Sequence, residues 1–215
     1  MRFMRDYDRQ AAVLYAHQWA YGRNPAYYDY ENLGGDCTNF TSQCVYAGTG
    51  IMNFTPTFGW YYIHANQKAP AWTGVVYFWN FMTRKAPSVG PVGEDANLED
   101  LLPGDIVQLS FKGDIFQHSP VVVSVGHPAA PENVLIAAHS YDADNRPLST
   151  YDYPLDTRGV VQHEAGGHGF GKLGDEYIYH NAFIDACGCS CCGHVAEFNS
   201  AKSLGWYDNL SLTGK

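Results

Sequence analysis

The segment Gly34-Gly35-Asp36-Cys37-Thr38-Asn39-Phe40 brings a thiol out of a glycine turn and onto the start of a predicted helix. A helix N-terminus carries a partial positive charge and unpaired N–H groups. It can therefore stabilise a thiolate, lower its pKa and donate to a developing oxyanion. Cys37 is accordingly expected to be a low-pKa nucleophile. Beyond it Phe40, Cys44 and Ala47 recur at helical spacing, which predicts a helix that packs along one face and leaves its first turn open to substrate. The plain alternative is a small buried cysteine without chemistry, since free cysteine is among the most buried residue types.

A thiol nucleophile needs a base. Leu102-Pro103-Gly104-Asp105 forms a turn into the short apolar strand Ile106–Leu109, and Gln117-His118-Ser119-Pro120 opens the run Val121–Val125. His118 thus stands at a strand entrance. Val134–Ala138 makes a second apolar strand ending in His139-Ser140-Tyr141-Asp142, and a hairpin between the two runs would bring His139 back beside His118. In this arrangement Cys37 attacks a carbonyl, His118 takes and returns the proton, and His139 fixes the imidazole tautomer, with Asp142 as the alternative third residue.

The elements that must position these residues are legible in outline. A helix is expected from about Asp8 to Tyr21, with Ala11, Ala12, Tyr15, Ala16 and Trp19 on one face and Gly22 and Asn24-Pro25 stopping it. Another is expected over Val75–Met82, inside an aromatic-rich stretch from 50 to 95. Strands and turns follow from Pro103 to Tyr151, the last strand at Leu148–Tyr151.

Tyr7–Val13, Asn24-Pro25-Ala26-Tyr27, the Gly-Gly-Asp-Cys-Thr-Asn-Phe segment, Ser42-Gln43-Cys44, Gly59-Trp60-Tyr61-Tyr62, Pro103-Gly104-Asp105-Ile106, His118–Val121 and Ala138-His139-Ser140 together resemble the bacterial amidase domain family over residues 5–152. That family belongs with papain-like and NlpC-type cell-wall cysteine hydrolases. The resemblance implies an α+β fold in which the nucleophile helix packs on an antiparallel sheet, with a Cys-His-His or Cys-His-Asp site that needs no cofactor. It also implies a peptide or peptidoglycan-like substrate, cleaved at an amide bond through a thioester on Cys37, and an extracellular or wall-associated setting. The first residues of the given chain, Met1–Asp6, show no signal-peptide pattern.

A second signal begins near Asp156, so the expected organisation is an amidase-like domain at 1–156 and an extension at 157–215. His163-Glu164-Ala165-Gly166-Gly167-His168, with Asp175-Glu176-Tyr177 behind it, resembles a zinc protease helix. In the common form two histidines four apart share a face. Here they are five apart, so a regular helix would turn them about 140° from each other. A π-bulge at Gly166-Gly167 would realign them, and dipeptidyl peptidase III has the same offset. This tail resembles part of the IgA-peptidase-like zinc metalloproteases, which implies His163, His168 and Asp175 as zinc ligands and Glu164 as general base on a short, incomplete zincin-like helical extension. Cys187, Cys189, Cys191 and Cys192 crowd the same region and read as disulfide partners in a secreted protein or free thiols in a reducing one. Cys37 and Cys44 cannot bridge, because seven helical residues set their Cα atoms about 10 Å apart.

Composition narrows the partners. A formal charge of −9 with 13 Lys and Arg excludes a nucleic-acid footprint and electrostatic docking on anionic polymers. No apolar run reaches the length of a membrane span. The 16 Tyr, 11 Phe and 5 Trp suit a core, with a share left to line a cleft. Three functions follow from these residues: a cysteine hydrolase working from Cys37, a zinc protease working from His163 and His168, and a module that binds a peptide or wall fragment without cutting it.

Overall fold

The computed structural model describes residues 3–85, 88–111 and 115–151, together with the strand segments 160–163, 165–166, 169–170 and 176–179. The fold is α+β. Helix α1 (Arg9–Trp19) is capped by Asp8, whose carboxylate accepts the Ala11 N–H at 2.9 Å. Helix α2 (Cys37–Thr49) lies against it. The two come close because residue 48 is glycine: a Cβ there would stand 2.3 Å from the Tyr7 ring and 2.7 Å from the Asp8 carbonyl.

Strands β1 (Phe3–Asp6), β2 (Tyr62–His64) and β3 (Gln67–Lys68), helices α3 (Pro70–Thr73) and α4 (Val75–Met82), and β4 (Gly90–Pro91) precede the main sheet. That sheet has the order β8-β7-β6-β5-β9 and is antiparallel throughout, with β5 at Ile106–Leu109, β6 at Val121–Val125, β7 at Val134–Ala138, β8 at Ala143–Pro147 and β9 at Val160–His163. Its two faces bury two clusters. One holds Phe40, Cys44, Val45, Trp60, Trp72, Phe78, Phe81, Ile106 and Val121, and the other Leu101, Val107, Leu109, Val122, Ile136, Leu148 and Tyr151. The aromatic-rich stretch therefore supplies core: Trp60 and Trp72 pack at 4.9 Å and Tyr27 stacks on Trp72 at 5.8 Å.

Three expectations are corrected. First, α2 is buried on all sides over its first nine residues rather than along one face, and Ala47 is only half-buried. Polar side chains are tolerated there because each finds a partner. Asn39 donates to the Tyr28 carbonyl and accepts from Trp72, Ser42 accepts from Trp60, and Gln43 accepts from the Tyr15 hydroxyl. Second, Leu148–Thr150 is a 3₁₀ turn, with the last hairpin strand at β8 instead. Arg146 holds that turn by donating to the Thr150 hydroxyl and carbonyl, both at 2.8 Å.

Third, where the tail is described it forms strands and not a zincin-like helix. His163 ends β9, opposite Ile106, and β12 (Glu176–Tyr179) lies between β1 and β4, while β10 (Ala165–Gly166) pairs with β11 (Gly169–Phe170). Val160 and Val161 favour a strand beside the open edge of β5, and glycine at 166 and 167 disfavours helix. Glu164, His168, Asp175, Cys187, Cys189, Cys191 and Cys192 lie outside the described residues.

The Pro-Gly-Asp turn is fixed by charge. Buried Asp105 accepts from Arg9 at 2.9 Å and from the Leu102 N–H at 2.7 Å, while Arg9 also donates to the Pro103 carbonyl and Tyr7 to the Gly104 carbonyl. Removing one partner of a buried pair leaves the other charge desolvated. Arg9→Leu should cost about 3 kcal/mol in urea unfolding, whereas Asp144→Asn, at the more exposed pair with His17, should cost less than about 1 kcal/mol. Equal costs would show that Asp105 is not held by its cation.

Candidate active site

The turn before the nucleophile is built for glycine. Gly34 and Gly35 have φ of 103° and 104°, a region that L side chains rarely adopt, and a Cβ on Gly35 would meet the Ser140 hydroxyl at 3.1 Å. Ser140 and Tyr141 are themselves left-handed, at φ 58° and 74°. That bend lets the Ser140 hydroxyl accept the Asp36 N–H at 2.9 Å while donating to Glu31 at 3.0 Å. The loop after β7 thereby holds the residue that precedes Cys37.

Cys37 opens α2 and is buried, with 7% of the residue exposed, while Cys44 is wholly buried. Both are free. The Cys37 Sγ lies 4.0 Å from the Gln117 carbonyl and 3.7 Å from the Thr38 hydroxyl, and it also receives a hydrogen bond from the Ser119 backbone. The thiol is therefore set against the chain on either side of His118. Two side chains of the same helical turn fasten this contact. Thr38 donates to the Ser119 hydroxyl at 3.4 Å, and Thr41 donates to the Ser119 carbonyl. Gln108 on β5 completes the tie, donating to the Ser119 hydroxyl at 3.2 Å and to the Val75 carbonyl at 3.0 Å.

His118 and His139 do reach the same end of the sheet, because β6 and β7 pair with Val121 opposite Ala137. They do not meet as partners. His139 Nδ1 lies 2.6 Å from an Asp36 carboxylate oxygen and Nε2 lies 2.9 Å from the Trp19 carbonyl. The other Asp36 oxygen accepts from the Tyr30 N–H and the Asn39 amide. Both ring nitrogens of His139 are thus engaged by oxygens of other segments. Its ring stacks on Phe40 at 4.1 Å. Asp142 is engaged with Arg23 through two bonds of 3.0 Å. Both third-residue candidates are therefore spoken for: His139 anchors Asp36 beneath the nucleophile, and Asp142 pairs at the rim. The His118 ring meets instead the Tyr151 hydroxyl, 3.4 Å from Nε2, a residue that sequence reasoning assigned only to a strand.

Electrostatics reverse one expectation. Burial pushes the Cys37 thiol up, and hydrogen bonds from Thr38 and the Ser119 backbone pull it only partly back. Burial, with a smaller contribution from Arg146, pushes His118 down to about 4. The helix start does not win here, since its effect is about 0.3–1 kcal/mol while loss of hydration on burial can shift a group by several pH units. At rest the Cys37 thiol and the His118 imidazole are each neutral.

The family model described as "Putative amidase domain" matches residues 6–161, and the chain belongs to that family. Hydrolysis is the activity that the family suggests. The chain is 33% identical over 149 residues to a Bacillus subtilis (strain 168) protein carrying the name "Uncharacterized protein YhbB", an alignment covering 68% of this chain and 45% of that protein. The chain thus spans about half the length of the relative it matches. No solved structure matches significantly. No helix among the described residues is long and apolar enough to cross a membrane, and no cluster of metal-binding side chains occurs among them.

The depressed His118 value has a signed consequence. Between about pH 6.5 and about 4 the unfolded histidine takes a proton that the folded one refuses, so stability present above pH 6.5 is lost as pH falls through that window. The loss should be on the order of 3 kcal/mol. Denaturant unfolding from pH 7 to 4 should show it, and His118→Gln should flatten the slope; an unchanged slope in that variant would mean that His118 is not the group titrating.

Proposed function

We propose that the protein is a cysteine hydrolase of amide or peptide bonds, with Cys37 as nucleophile and His118 as base. The observation that supports this reading is the setting of the Cys37 thiol at a helix start, against the backbone flanking His118. The thiol proton passes to the neutral imidazole as sulfur attacks the carbonyl carbon, so charge separation and bond formation coincide. The tetrahedral intermediate then expels the amine, which takes that proton, and leaves a thioester on Cys37. Water, deprotonated by His118, attacks the thioester; the proton returns to the thiol as the acid leaves. The N–H groups of the first turn of α2 are the natural donors to the oxyanion. Peptide or peptidoglycan-like fragments are the substrate class proposed here, and the cysteine site asks for no metal.

The test uses the full chain, an iodoacetamide-type probe and a panel of peptide anilides and wall fragments. Cys37 should be labelled and Cys44 spared. Cys37→Ala should abolish turnover with the fold intact, and His118→Ala should lower it by roughly 10²–10⁴-fold. Chelators should leave turnover unchanged. Turnover that survives Cys37→Ala but disappears on chelation would move the chemistry to the C-terminal segment; turnover by neither route, with retained binding of fragments, would make the domain a binding module.

A further inference from the structure

His118 needs a group to hold its ring, and the two residues expected to do so are committed elsewhere. Among the described residues the one hydrogen bond to its ring is made with the Tyr151 hydroxyl, 3.4 Å from Nε2, with the two ring centroids 5.4 Å apart. Tyr151 is well placed to be a fixed point. It is buried, and the Arg146 guanidinium lies 3.8 Å over its ring. Arg146 in turn donates to the Thr150 hydroxyl and carbonyl, and the Thr150 hydroxyl donates to the Pro147 carbonyl at 2.8 Å, so the turn carrying Tyr151 is clamped independently of His118. Buried Leu148 seats the same turn in the core. The Phe111 ring centroid lies 6.3 Å from that of His118.

We infer that Tyr151 is the positioning residue for His118: its hydroxyl oxygen accepts the Nε2–H, which leaves Nδ1 bare to take the proton of Cys37. The inference rests on the cysteine-hydrolase reading. Its proton balance is simple. The thiol proton moves from Sγ to Nδ1, the imidazolium carries hydrogen on both nitrogens, and Tyr151 neither gains nor loses a proton. The bond to Tyr151 becomes charge-assisted at that moment, and is stronger in the transition state than at rest. Burial raises the Tyr151 pKa, opposed in part by Arg146, so the phenol is neutral throughout the working range.

The test reads the tautomer directly and needs no substrate. In the ¹⁵N-histidine-labelled full chain at pH 7, with His118 assigned by its loss in His118→Gln, Nε2 should be the protonated nitrogen and Nδ1 the bare one. Tyr151→Phe keeps the ring and removes the hydroxyl; it should give a mixture of tautomers and slow iodoacetamide alkylation of Cys37 on the order of 10-fold. A native Nδ1–H tautomer overturns the assignment, and so does an unchanged tautomer and alkylation rate in Tyr151→Phe. Should that variant not fold, the native tautomer alone decides. Failure of the underlying reading is distinguishable, since turnover that persists in Cys37→Ala sinks the cysteine mechanism, whereas an indifferent Tyr151→Phe sinks only Tyr151.

Discussion

The architecture turns on one buried polar junction: the first turn of α2 is tied through Thr38 and Thr41 to Ser119, the residue that follows His118. Cys37 and His118, the proposed nucleophile and base, lie about eighty residues apart in sequence, on a helix and at a strand entrance. Apolar packing alone would leave their separation free to slide by an ångström or more. Hydroxyl groups with fixed partners remove that freedom, because a buried hydroxyl without a bond costs about 1–3 kcal/mol. Gln108 extends the same junction to β5 and to the first turn of α4, so three elements converge on Ser119. A helix buried all round can be this polar only because its polar side chains are satisfied by partners on other segments.

The junction also explains the electrostatic state. Holding the thiol this tightly removes it from water, and desolvation then outweighs the helix start in setting its pKa. The same burial keeps the imidazole neutral. A preformed thiolate–imidazolium pair would have to be stable in a poorly hydrated place with few charges aimed at it. Neutral groups avoid that cost, and on the proposed mechanism charge would move only when a substrate carbonyl is present to accept the electrons.

Much of this was legible in the sequence, and the reason is local. β5, β6, β7 and α4 fall where apolar runs and turn residues place them, and the Asp8 cap and the Gly34-Gly35 turn are signalled by residue types with few alternative uses. The placement of Cys37 at a helix start and of His118 just ahead of a strand was legible too, because a glycine turn precedes the one and an apolar run follows the other. What escaped was pairing. Sequence order brings His139 to the correct end of the ladder, yet says nothing of the Trp19 carbonyl and the Asp36 carboxylate waiting there. Tyr151 escaped for a related reason. One tyrosine among 16 carries no signal until Arg146 and the 3₁₀ turn are seen to aim it.

His139 illustrates how a histidine near a candidate site can work through packing. It bridges the end of α1 to Asp36, while Ser140 beside it accepts the Asp36 N–H. Asp36 is thereby gripped at both side chain and backbone, one residue before the nucleophile. The one carboxylate oxygen left over accepts from both Tyr30 and Asn39, and Asn39 reaches Trp72 in the aromatic core. A glycine pair is free to take many conformations, and this network selects one of them. The flexible residues make the turn possible and the buried Asp36–His139 hydrogen bond selects it, so the position of the Cys37 sulfur is set from behind by that bond and from ahead by the Ser119 junction.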